Sequence, residues 1–141
     1  MNSKTNGAVL IDTNVFLRHL LDDIPEHSRR ANKLFADVMK GDVRVYAPST
    51  VFFEAVYVLT RHKGVPVADV SAALHILLNY PGFETDHREA LGGALSLWNT
   101  QGPLSFADCF HLVLAKQLGM DRIYAFDGKM DRFPGVERVD P

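Results

Sequence analysis

Short apolar runs separated by longer stretches of helical periodicity form the main pattern of the chain. "AVLID" (8–12), "VRVYA" (43–47), "FETD" (83–86), "RIYAF" (122–126) and "VERV" (136–139) have the length and side-chain content of strands. The segments between them carry helix signals. One helix is expected from Asp12 to about Leu21, and a second opens at Pro25 in the N1 position and stops at Gly41. A third, "TVFFEAVYVLTRHKG", is expected to be capped by Ser49 and to end at Gly64. Pro66 opens a fourth that runs to about Tyr80; "HREALGGALSLWNTQG" and "SFADCFHLVLAKQLG" supply two more, the last closed by Gly119. Strands alternating with helices pair in parallel, because parallel neighbours need a long crossover connection. The expectation is an α/β fold: a three-layer α/β/α sandwich with a central, mainly parallel sheet of four to five strands, built by residues 1–141 as a single domain. In such sheets ligands bind beyond the carboxyl ends of the strands.

Four carboxylates interrupt this pattern. Asp12 closes the first strand and Asp127 follows the fourth; Glu54 breaks "VFFEAVYVL", and Asp108 breaks "SFADCFHLVL". An ionised carboxylate left unpaired in apolar surroundings costs several kcal/mol, against a total domain stability of roughly 5–15 kcal/mol. Each acid also has an ordinary role open to it. Asp12 is a good N-cap, Ser105 and Asp108 spell a capping box, Glu54 can sit on a solvated stripe, and Asp127 with Gly128 is a turn signal. Two acids at the carboxyl edge and two near helix starts that can face it favour a shared acidic pocket. Gathered carboxylates raise one another's pKa until protons or cations enter, and an all-oxygen ligand set selects Mg²⁺ or Mn²⁺, as one ion or two, over zinc. The six histidines form no H-E-x-x-H pair; His111, three residues after Asp108, reads as an ordinary helix histidine. An acidic cation site suits phosphoryl chemistry, since a bound metal polarises a phosphoryl oxygen and activates water.

Composition narrows the partners. With 141 residues and 47% apolar content, the chain can bury one core, and its net charge of -2 excludes nucleic-acid binding by bulk positive charge. Removing the four acids' negative charges from -2 leaves +2 on the rest, with Arg18, Arg61, Lys63 and Lys116 available for backbone contacts. Cys109 is the only cysteine, so no internal disulfide forms. No signal-peptide pattern and no apolar run of about 18 residues is present, which gives the expectation of a cytoplasmic protein without a membrane span. Neither G-x-x-x-x-G-K-[ST] nor G-x-G-x-x-G occurs.

"IDTNVFLR", Glu54 in the third helix, "SFADCFH" and "IYAFDGKMDRFPGV" together resemble the PIN-domain family, in particular VapC-type toxin ribonucleases of toxin–antitoxin modules. The resemblance spans essentially the whole chain. It implies a PIN-like three-layer fold and a Mg²⁺- or Mn²⁺-dependent endoribonuclease, the toxin of a type II pair. Asp12, Glu54, Asp108 and Asp127 would be the catalytic metal-site acids, with Thr13 or Asn14 supporting the first by hydrogen bonding. Arg18 would reach RNA phosphate or bond a neighbouring acid. The resemblance also implies an RNA substrate, a homodimer, and a cognate antitoxin whose C-terminal segment covers the acidic site. Asp131 is either a more distant acid of the site or, in "KMDRF", part of an exposed turn. Two other readings stay open: a non-catalytic module whose acids hold a cation or a partner's arginines, and a small-molecule phosphatase. The phosphatase wants D-x-D, whereas residue 14 is Asn.

Overall fold

Strands β1 (Val9–Leu10), β2 (Val45–Tyr46) and β3 (Phe83–Glu84) pair in parallel, in the order β1-β2-β3, in a computed structural model that describes residues 7–100 and 102–141. The chain divides into two compact units between Arg88 and Glu89, and this sheet belongs to the first. Val9, Val45 and Phe83 share one register level, and Leu10, Tyr46 and Glu84 the next, so the three strands end flush. Helices α1 (Thr13–Leu21) and α2 (Pro25–Lys40) connect β1 to β2. Helix α3 (Ser49–Tyr57), a π-helical turn (Val58–His62) and α4 (Val67–Leu78) connect β2 to β3. Their apolar faces meet in an aromatic core, where the Phe16 ring lies 5.4 to 6.3 Å from those of Phe52, Phe83 and Phe35. All four rings are buried, and His19 stacks on the edge of this cluster, 4.4 Å from Phe35. At the entry to β3 the chain runs so close to its neighbour that a Cβ on Gly82 would lie 2.0 Å from the Val43 carbonyl oxygen.

The third helix departs from expectation at both ends. Its first α-helical residue is Ser49, and the N-cap position falls on Pro48, which has no side-chain acceptor to offer. Asp86, just beyond β3, takes over: its carboxylate accepts from the Ser49 N–H at 2.8 Å, the Ser49 hydroxyl at 2.9 Å and the Tyr46 hydroxyl at 3.2 Å. At the far end the regular helix stops at Tyr57. The Lys63 N–H reaches back five residues to the Val58 carbonyl at 3.0 Å, while the Thr60 hydroxyl donates to the Val56 carbonyl at 2.7 Å, so the last turn widens into a π turn.

In the second unit, α5 (Arg88–Thr100, its first residue closing the first unit) and α6 (Phe106–Gln117) precede β4 (Arg122–Tyr124), a 3₁₀ turn (Gly128–Arg132) and β5 (Glu137–Val139). A Cβ on Gly93 would come within 2.8 Å of Val113 Cγ1, which explains one member of the glycine pair in α5: its missing side chain admits α6. Trp98 and Phe106 close this contact edge to face at 5.6 Å. Strands β4 and β5 pair in parallel, Arg122 with Glu137 and Tyr124 with Val139. The expected parallel α/β organisation thus holds, with the strands hydrogen-bonded as ladders of three and two. Among the described residues no helix is long and apolar enough to cross a membrane.

Candidate functional site

Residues that follow the strands of the first unit meet at its carboxyl edge. Asp12, two residues past β1, is the N-cap of α1 with extended backbone angles, and its Oδ2 accepts from the Asn14 N–H at 3.5 Å. That extended residue turns the chain so that Asp12 stays exposed while Thr13 is buried. The Thr13 hydroxyl donates to Glu54 Oε1 at 3.1 Å. The hydroxyl expected to support the first acid therefore supports the second, and it links the start of α1 to the middle of α3. Glu54 is also exposed. The burial cost that singled out these two carboxylates is consequently not incurred, because both face water. Asp12 Oδ1 and Glu54 Oε2 carry no hydrogen bond among the described residues.

Arg18, in the second turn of α1, bonds a neighbouring acid. Its guanidinium lies 3.3 Å from Asp23, and its Nε is buried with no hydrogen-bond partner among the described residues. Asp22 sits at the C-cap of α1 in the left-handed region (φ 52°) and accepts from Asn32 at 3.2 Å. Asp86 is the acid that the sequence pattern passed over, because "FETD" reads as one strand. The rule that selected Asp12, an acid just beyond a strand's carboxyl end, would have found it. Burial pushes its carboxyl up, but the bonds from Ser49 and Tyr46 outweigh that and hold it below the usual carboxylate value. With three donors on it, Asp86 anchors the helix that bears Glu54.

In the second unit, Asp108 is half-buried and completes a capping box at the start of α6: its N–H donates to Ser105 Oγ at 3.1 Å, and its carboxylate accepts from the Ser105 N–H at 3.4 Å. Asp127 is exposed and caps the 3₁₀ turn, accepting from the Lys129 N–H at 2.9 Å; that bond, followed by the Lys129 and Arg138 charges, holds its carboxyl below the usual range. Asp131 accepts from Arg138 Nε at 2.9 Å and belongs to the turn. His111 is exposed on α6, and the Lys116 ammonium lies 5.8 Å above the Phe133 ring. Cys109, beside Asp108, is buried, and its thiol is pushed up to about 12 by burial and then by the Asp108 charge.

Among the described residues no three His, Cys, Asp or Glu side chains gather as a metal-binding group. The candidate acids offer oxygen donors alone, which suits a hard divalent cation better than zinc. Asp12, Asp108 and Asp127 each double as a cap, so the ordinary roles open to them in the sequence are filled, and cap and ligand roles remain compatible where an oxygen is left over.

No curated protein matches the chain. Among solved structures it is similar to VapC20 of Mycobacterium tuberculosis, described as a sarcin-ricin loop cleaving toxin. The two share 23% identity over 95% of this chain and 100% of that one, with a TM-score of 0.41. The PIN domain family matches residues 9–136, a span that takes in all four candidate acids and every strand through the turn before β5. This chain belongs to the PIN domain family.

Proposed function

We propose that the protein is a divalent-metal-dependent endoribonuclease, the toxin of a type II toxin–antitoxin pair, in which Asp12, Glu54, Asp108 and Asp127 are the metal-site acids. The observation that carries the reading is the bond from Thr13 to Glu54. It ties the residue after Asp12 to a second acid on another helix, and among the described residues one oxygen of each carboxylate carries no hydrogen bond. Asp108 and Asp127 take their place in the set from the family resemblance. Mg²⁺ or Mn²⁺, as one ion or two, would supply a polarised phosphoryl oxygen and an acidified water for hydrolysis of the phosphodiester bond. The chain's own part is to orient the acids. The α1 cap fixes the backbone at Asp12, Thr13 fixes the Glu54 rotamer, and Asp86 fixes the start of α3. The same reading includes RNA as substrate, a cognate antitoxin, a homodimer and a cytoplasmic location.

The test is incubation of the pure protein with structured RNAs and Mg²⁺ or Mn²⁺, comparing the parent with Asp12→Asn and Asp108→Asn. Asn is as good an N-cap as Asp, so Asp12→Asn keeps the helix start while removing the charge. Both variants are expected to lose about 100-fold or more in rate, and chelation of the metal should do the same to the parent. Equal cleavage by parent and variants would sink the assignment.

A further inference from the structure

A cleft of about 460 Å³ opens between α1 and α2 of the first unit, within the roughly 300–1,000 Å³ typical of small-ligand sites. Val15, Ala31 and Leu34 line it with apolar surface; Arg18, His27 and Arg30 add basic groups, and no carboxylate lines it. Asn14, in the first turn after the Asp12 cap, also lines it. Arg18 is six residues from Asp12 along α1, or about 9 Å at 1.5 Å per residue. Its Nε is buried there without an acceptor, although a terminal nitrogen pairs with Asp23. Arg30 meets Glu26 in an exposed contact of 3.6 Å, a pairing too weak to hold it from an anion.

Resting on the ribonuclease reading, we infer that this cleft receives one nucleotide of single-stranded RNA flanking the cleaved bond. The base would lie against Val15, Ala31 and Leu34, and the phosphate would face Arg18 and Arg30. Three features favour this occupant. The lining is basic in a chain of net negative charge, so it complements an anion locally. Apolar side chains beside guanidinium groups suit a splayed, unstacked base, the form in which RNA sequence is read. Asn14, which lines the cleft, is two residues from Asp12, so the cleft adjoins the turn that carries this acid.

The test uses the full chain and two variants with exposed or half-exposed side chains, Arg30→Glu and Leu34→Ala, each checked for parental circular dichroism and melting temperature. Binding of a short fluorescein-labelled oligouridylate is followed by anisotropy in EDTA, across a salt series. RNA cleavage is then measured with Mg²⁺. Arg30→Glu should weaken binding by about tenfold or more, the size of one lost charge-assisted bond. It should also reduce the slope of log K against log salt by ~0.7, one phosphate contact. Leu34→Ala should weaken binding by about threefold, the effect of removing part of an apolar floor, without changing the slope. In cleavage both should raise KM and leave kcat within about twofold, as expected when binding common to ground and transition states is removed. Unchanged affinity in both variants of a protein that still cleaves RNA overturns the subsite, leaves the nuclease reading standing, and points to a protein segment as the occupant. Loss in Arg30→Glu with Leu34→Ala silent means surface charge without an inserted base and overturns it as well. A parent that cleaves no RNA, yet whose oligonucleotide binding falls in both variants, keeps the cleft as an RNA site and removes the nuclease reading.

Discussion

Truncating Asp86 to alanine removes the acceptor that α3 borrows from the loop after β3. Three donors converge on that carboxylate, from the Ser49 backbone, the Ser49 hydroxyl and the Tyr46 hydroxyl. Hydrogen bonds to a charged group contribute about 1.5–3 kcal/mol each when buried. This side chain is 39% exposed, however, so water takes over much of what is lost, and the fitting scale is that of a helix N-cap, about 1–2 kcal/mol. For a chain of this length that corresponds to roughly 3–8 °C in melting temperature. Ser49→Ala removes only the hydroxyl bond and leaves the backbone bond in place, so it should cost about 0.5–1 kcal/mol. Because both substitutions act on one carboxylate, the double variant should lose less than the sum. The pH dependence has a definite sign. Asp86 sits below its ordinary value of 3.8 in the folded protein. Its stabilisation is therefore complete above the unfolded value and is lost as pH falls through the folded one, so the gap between parent and Asp86→Ala should narrow below about pH 4. Urea denaturation of the parent, both single variants and the double variant, at neutral and acid pH, reads these differences as midpoint shifts at constant m. A change of less than about 0.3 kcal/mol for Asp86→Ala at neutral pH, or strict additivity in the double variant, would refute the network as the anchor of α3.

Two further outcomes follow from packing. Gly82→Ala would drive a Cβ to 2.0 Å from the Val43 carbonyl and 2.9 Å from that of Val38. Both obstacles are backbone, so we expect a loss of about 3 kcal/mol or more, read as a lower melting temperature or a failure to recover folded protein. Cys109 is fully buried, and its thiol is pushed up to about 12, so at mildly alkaline pH little thiolate exists in the folded state. Its reaction with a disulfide reagent should be slower by about 100-fold or more in buffer than in urea; comparable rates would mean that α6 opens readily.

What the sequence made legible was whatever local chemistry decides. The βα alternation gave parallel pairing, and Pro25, Gly41 and the Ser105–Asp108 pair marked helix ends where the structure has them. The acids stood out because they broke apolar runs, yet Asp12 and Glu54 are exposed, so the break marked an edge of the fold and not a buried charge. Contacts between residues distant in sequence were out of reach. The Thr13–Glu54 bond spans 41 positions and the Asp86–Ser49 bonds 37, and neither has a periodicity to announce it. The π turn was hidden for another reason: "VLTRH" has ordinary helix-compatible composition, and what accompanies the wider turn, the Thr60 bond to the helix backbone and the Tyr57–His62 ring contact, leaves no sequence signature.

The donor that reaches Glu54 is a hydroxyl. A lysine or arginine in that position would hold the carboxylate as firmly, but its charge would cancel the one being held. Thr13 is neutral and has a single proton to give, directed at Oε1. Glu54 is thus restrained in position by a donor that adds no charge, while its second oxygen faces whatever cation approaches from solvent. Order and electrostatic appetite, which usually trade against each other at an acidic site, are here supplied by different atoms.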